Sequence, residues 1–167
     1  MGMVGNYLRV SKSDLEEYLA DSSKLEDRVY NEETDSDDNL VYIDKSWEGI
    51  FFLLTGTGIG NSVKATAPLR WILIAPQEID PDQDLGYGPA CYTSIEQTKE
   101  IHNALNKITL DELKNRYNSE AMMELSVYPE IWNDLDALEY LLDNYIVLKE
   151  FYEKAALENQ AVIIFLN

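Results

Sequence analysis

Cysteine, histidine, basic side chains and long apolar runs are all scarce in this chain, and each scarcity removes a class of chemistry. Cys91 is the only cysteine among 167 residues, so neither an intrachain disulfide nor a thiolate zinc cluster can form within one chain. A reducing, cytoplasmic setting fits that usage. His102 is the only histidine, which excludes paired-histidine zinc motifs and the two-histidine iron triad within one chain. No metal site and no cofactor are therefore expected. Thirteen Lys and Arg stand against 31 Asp and Glu, a formal charge of -18, and such a field repels nucleic-acid phosphates and anionic membranes. Nowhere do about 18 apolar residues run together, as a membrane-spanning helix requires. Met1-Gly2-Met3-Val4-Gly5-Asn6 also lacks the basic region and apolar run of a secretory signal. Nucleic acid and membrane are thus not expected as partners, whereas a basic protein is.

What is present is enough apolar material, 46% of the chain, to build one core, and no repeat or Pro- or Ser-rich linker divides it. A single domain over 1–167 follows. The acidity is uneven: residues 1–40 carry 4 basic and 11 acidic side chains, whereas residues 41–75 carry 3 and 2. The near-neutral stretch is the expected core. Met3 to Val10 reads as a strand, and Ser11 with Asp14 then has capping spacing for a helix through Leu15, Tyr18 and Leu19. Glu32 to Asp38 has no apolar anchor and reads as a solvated loop. Leu40 to Ile43 reads as a buried strand, and Ser46 as the cap of a nearly engulfed helix carrying Trp47, Ile50, Phe51 and Leu54.

Leu69 to Ile74 is too short for periodicity to separate strand from helix. Ala90 to Thr93 reads as a strand, with capping boxes at Ser94/Gln97 and Thr109/Glu112 opening two consecutive helices. The longest helix is predicted over about 133–157, with Leu138, Leu141, Tyr145, Leu148, Tyr152 and Ala155 on its core face and acids on the other. Ala161 to Leu166 is six apolar residues without a break, which suits a strand buried on both faces. Strands at both ends with helices between them predict an α+β fold, a small mixed sheet packed with several helices.

Signals for chemistry are weak. Gly56, Gly58 and Gly60 lack the strand-glycine-helix context of a dinucleotide site and the Gly-Lys-Ser/Thr of a phosphate loop, so they read as a loop or helix stop. Asp80, Asp82 and Asp84 put Leu85 where a calcium loop needs glycine and Cys91 where it needs glutamate; Asp35, Asp37 and Asn39 fail alike. His102 lies on the apolar side of a predicted helix, and Cys91 in an apolar strand with no basic partner, so both read as packing residues. Trp47, Trp71, Tyr87, Tyr92, Tyr128 and Trp132 lie near turns or element ends, where aromatics can line a pocket.

Four groups of residues occur together in order. They are Met1-Gly2-Met3-Val4-Gly5; Asp44-Lys45-Ser46-Trp47 running into Leu53-Leu54-Thr55-Gly56; Gly86-Tyr87-Gly88-Pro89-Ala90 with Tyr92; and Tyr128-Pro129 with Trp132. The chain thereby resembles the YfbM-like family over almost its whole length. That resemblance implies an α+β fold and bacterial relatives of unassigned function, and it supplies no catalytic residues. A shared site is expected where Asp44 and Trp47 meet the Gly86 to Tyr92 turn and Tyr128 to Trp132. Two functions follow as expectations: a module binding a basic protein, of inhibitor or immunity type, or a small-molecule binder or metal-independent enzyme using Asp44, Trp47, Tyr87, Tyr92, Tyr128 and Trp132.

Overall fold

The unbroken apolar run near the carboxyl end forms the central strand of the sheet, and its two neighbours explain why it is apolar on every residue. In the computed structural model, which describes residues 2–31 and 37–167, β5 (Ala161–Leu166) pairs with β1 (Gly5–Val10) on one side and β4 (Cys91–Thr93) on the other. Short β2 (Leu40–Tyr42) and β3 (Gln77–Glu78) complete the order β2-β1-β5-β4-β3. Every pairing is antiparallel, so the α+β class stands while the sheet is antiparallel rather than mixed. β2 is an edge strand with half-buried and exposed residues, less covered than its apolar composition predicts, because only one side of it meets another strand.

Both faces of the sheet are covered, which is the physical reason for the continuous burial of β1 and β5. One face carries Leu8, Val10, Ile163 and Phe165 against Tyr18, Leu25 and Val29 of α1 (Lys12–Ala20) and α2 (Ser23–Val29), joined by Ile79, Leu85 and Ala90. The opposite face carries Tyr7, Val162 and Ile164 beneath the larger helical layer. That layer comprises α3 (Trp47–Thr55), α4 (Ile95–Leu105), α5 (Leu110–Arg116), α6 (Ser119–Glu124) and α7 (Ala137–Leu157). Alternation along each strand divides neighbouring residues between the two cores.

Capping chemistry sets several helix starts. Ser11 accepts from the Asp14 N–H at the start of α1, and both predicted capping boxes are closed reciprocally at Ser94/Gln97 and Thr109/Glu112. α3 is buried from Trp47 to Leu54, as its near-neutral, apolar composition predicts, and ends where Gly56 turns left-handed at φ 76°. Ser46, however, does not cap α3; its hydroxyl donates to the Ile43 carbonyl. Leu69–Ile72 resolves as a short 3-10 turn. α7 begins at Ala137 rather than near residue 133, and Leu138 is only half-buried, with Ala137 taking the core position. The acidic loop predicted over 32–38 lies outside the described residues from 32 to 36.

Candidate functional site

The aromatic residues of the expected site separate into one assembled group and two outliers. Trp47, at the start of α3, stacks on Tyr128 with ring centroids 5.3 Å apart and planes 22° from parallel. Both side chains tie down the amino-terminal segment: the Trp47 indole donates to the Met3 carbonyl at 3.0 Å, and the Met3 N–H donates to the Tyr128 hydroxyl at 2.9 Å. A Cβ on Gly2 would run into the Tyr128 hydroxyl and the Lys45 stem, and one on Gly5 would sit 2.9 Å from the Trp47 Cβ. This packing is the physical content of the glycine-rich opening motif.

Asp44 borders the same group. Its backbone is left-handed at φ 48°, and its carboxylate accepts from the Tyr140 hydroxyl of α7 at 2.8 Å. Burial, with the Asp44 carboxylate beside it, pushes the Tyr140 hydroxyl well above the ordinary phenol value. Trp132 is 1% exposed, donates to the Val127 carbonyl at 2.6 Å, and closes on α3 so tightly that a Cβ on Gly49 would lie 2.6 Å from its ring.

Sequence reasoning missed the residue that joins these parts. Glu48, 3% exposed, is the single buried carboxylate among the described residues. It accepts from the Ile59 N–H at 2.7 Å and from the Tyr128 N–H at 2.9 Å. One carboxylate thus holds two loops onto α3, each bond charge-assisted. A lone acid inside the otherwise apolar Trp47–Leu54 run was its available signal.

Tyr92 and Tyr87 do not join this group. Tyr92 follows Cys91 in β4, so alternation sends it to the α1–α2 side of the sheet while Cys91 faces the larger core. Tyr87 is 54% exposed in a turn organised by Asp84, which accepts from the Gly86 and Gly88 N–H groups at 2.8 and 2.9 Å. Those bonds hold the Asp84 carboxyl below its usual range. The expected six-residue pocket is therefore corrected to a joint of Asp44, Trp47, Tyr128 and Trp132, whose indole and phenol groups are spent on the chain's own backbone or, for Asp44, on Tyr140.

Cys91, His102 and Asp80, singled out by the sequence, have contacts of their own. Burial pushes the Cys91 thiol up, and its sulfur lies 3.7 Å from the Leu73 carbonyl. His102 is half-buried on α4, with Nε2 3.0 Å from the Asn106 amide. Asp80 accepts from the Ser22 hydroxyl and the Asp82 N–H. Among the described residues no group of three or more His, Cys, Asp or Glu is placed to hold a metal ion, and no helix is long and apolar enough to cross a membrane.

An antiparallel five-stranded sheet layered with helices on both faces defines an α+β domain recognised by its architecture. The chain belongs to the family described as Domain of unknown function (DUF1877), which it matches over residues 1–165. Among solved structures it is similar to YfbM from Escherichia coli, a protein of unknown function, with a TM-score of 0.71 at 15% identity over 98% of this chain and 99% of that one. The YfbM-like resemblance read from the four motifs is thereby established. No curated protein matches.

Proposed function

We propose that the protein is an interaction module that binds a basic protein, with its carboxylates steering and holding the partner. One observation carries this reading: apart from Glu48, every Asp and Glu among the described residues is at least partly exposed, and few of them have a cationic partner. The ion pairs found there engage only Asp14, Glu16, Glu17, Asp37, Asp111 and Glu158. A surface left so short of counter-charge gains most from a partner that supplies it, through faster encounter and rejection of acidic competitors. The aromatic joint supports the same reading, since both of its indole N–H groups are bonded to the chain's own backbone.

Immobilised protein should retain a basic protein from a lysate of the source cells at low salt and release it as salt is raised. An unrelated acidic protein of matched charge serves as the control. Retention no different from that control removes the reading.

A further inference from the structure

α7 carries a second apolar stripe, of which only Leu142 also packs, partly buried, against the core. Leu141, Tyr145, Leu148 and Tyr152 face the core, whereas Leu138, Leu142 and Ile146 recur every fourth residue along the adjoining face. With Leu110 of α5 and Leu135, which is fully exposed just before α7, they line a trough of about 430 Å³. Single exposed apolar residues on a surface are ordinary, but a contiguous lined trough marks a binding site. Lys114 borders it on the α5 side, and Glu139 and Asp143 border it on the α7 side.

Shape and charge together specify the occupant. The trough lies between two helices, with no strand edge to extend, and its apolar side chains follow a helical pitch, so an apolar helical stripe is the complementary shape. The surrounding charge is acidic: Asp134 and Asp136 are exposed next to its lining residues, while Asp111 pairs with Lys114 at 3.9 Å. A second copy of this chain would bring one molecule of charge -18 against another, which favours a basic occupant over self-association. We propose that the trough between α5 and α7 is the docking site for a basic amphipathic helix of a partner protein, whose apolar stripe seats on Leu138, Leu142 and Ile146 while flanking Lys and Arg face Glu139 and Asp143. This rests on the reading of the protein as a binder of basic partners, and adds where the partner sits and what it presents.

Three labelled peptides test it by fluorescence anisotropy: a Leu/Lys amphipathic helix, a scrambled Leu/Lys peptide without the stripe, and a Leu/Gln helix with the stripe but no charge. The Leu/Lys helix should bind at least about tenfold more tightly than either of the others. Leu135→Ser combined with Ile146→Ser should remove about that tenfold, while Leu157→Ser, exposed at the far end of α7, should not. Backbone amide shifts on titration should concentrate in α5 and α7, an independent readout needing no variant. Equal, salt-sensitive binding of both Leu/Lys peptides, unaffected by the double substitution, overturns the trough while the basic-partner reading stands. Groove-dependent binding of the Leu/Gln helix as tight as that of Leu/Lys overturns the basic occupant. Absence of salt-sensitive binding to any Lys peptide overturns both this proposal and the reading beneath it.

Discussion

At the scale of single residues, Glu48 is the clearest case of a charge used for construction. Truncation would take away the acceptor of the Ile59 and Tyr128 N–H groups, and losing two charge-assisted bonds costs on the order of 3 kcal/mol. Glu48→Ala should therefore lower stability by about that much in urea unfolding monitored through tryptophan fluorescence. Glu48→Gln should also destabilise, since its amide nitrogen would meet a donor where the second carboxylate oxygen now accepts. A Glu48→Ala variant within about 0.5 kcal/mol of the parent would show that the two loops are held by their packing alone.

At the scale of elements, the contact of α3 with α7 and Trp132 depends on the missing side chain at Gly49. Gly49→Ala would place a Cβ 2.6 Å from both Leu141 Cδ2 and Trp132 Cη2. Overpacking of this kind costs about 1–3 kcal/mol, which exceeds the gain of about 1 kcal/mol in helix propensity from Gly to Ala. A net fall in the urea midpoint is expected, and a rise would mean that Trp132 moves aside freely. Helix starts signalled by side chains acting on their own backbone, at Ser11, Ser94 and Thr109, were legible in the sequence. So was β5, because an apolar residue at every position is what a short strand covered on both faces requires. The joint was only half legible. Trp47, Tyr128 and Trp132 could be grouped because each lies near a turn or element end, and Asp44 because it stands in one motif with Trp47. Tyr92 could not be assigned a side without knowing which of two covered faces its strand turned toward. Glu48 stood out as the lone acid in an apolar run, but its role stayed hidden among 31 acids because it depends on two loops folding back over α3. The second stripe of α7 was concealed likewise, since Leu138 fits either face by spacing.

For the whole molecule, the buried phenols set a limit on the alkaline side. Burial pushes the Tyr145 hydroxyl from 10.0 up to about 12, and the Tyr7 and Tyr152 hydroxyls are raised by burial as well. In the unfolded chain these phenols ionise near their ordinary value, so the folded state binds the protons more tightly. Their contribution is fully present below pH 10 and declines above it, by at most about 1.4 kcal/mol per pH unit for each phenol, levelling off for Tyr145 near 12 and continuing to fall beyond that for Tyr7 and Tyr152. Urea midpoints should hold between pH 7 and 9 and fall above 10, with the full phenolate absorbance of all 11 tyrosines reached only as the protein unfolds. Phenolate absorbance equal to that of the unfolded chain, in protein that remains folded, would contradict the burial of these groups.

The pairing of β1 with β5 brings together residues 5–10 and 161–166, the outermost regular elements of the chain, and Val4 and Asn167 exchange backbone hydrogen bonds beside them. During synthesis, β1 leaves the ribosome with only the three-residue β2 available as a strand neighbour until residues 161–166 have emerged. Closing a loop of that length carries an entropic cost of about 4 kcal/mol before the sheet returns any of it. Until then β1 presents one unpaired edge together with Tyr7, Leu8 and Val10, and the charge of the acidic α1–α2 segment that follows it opposes premature pairing.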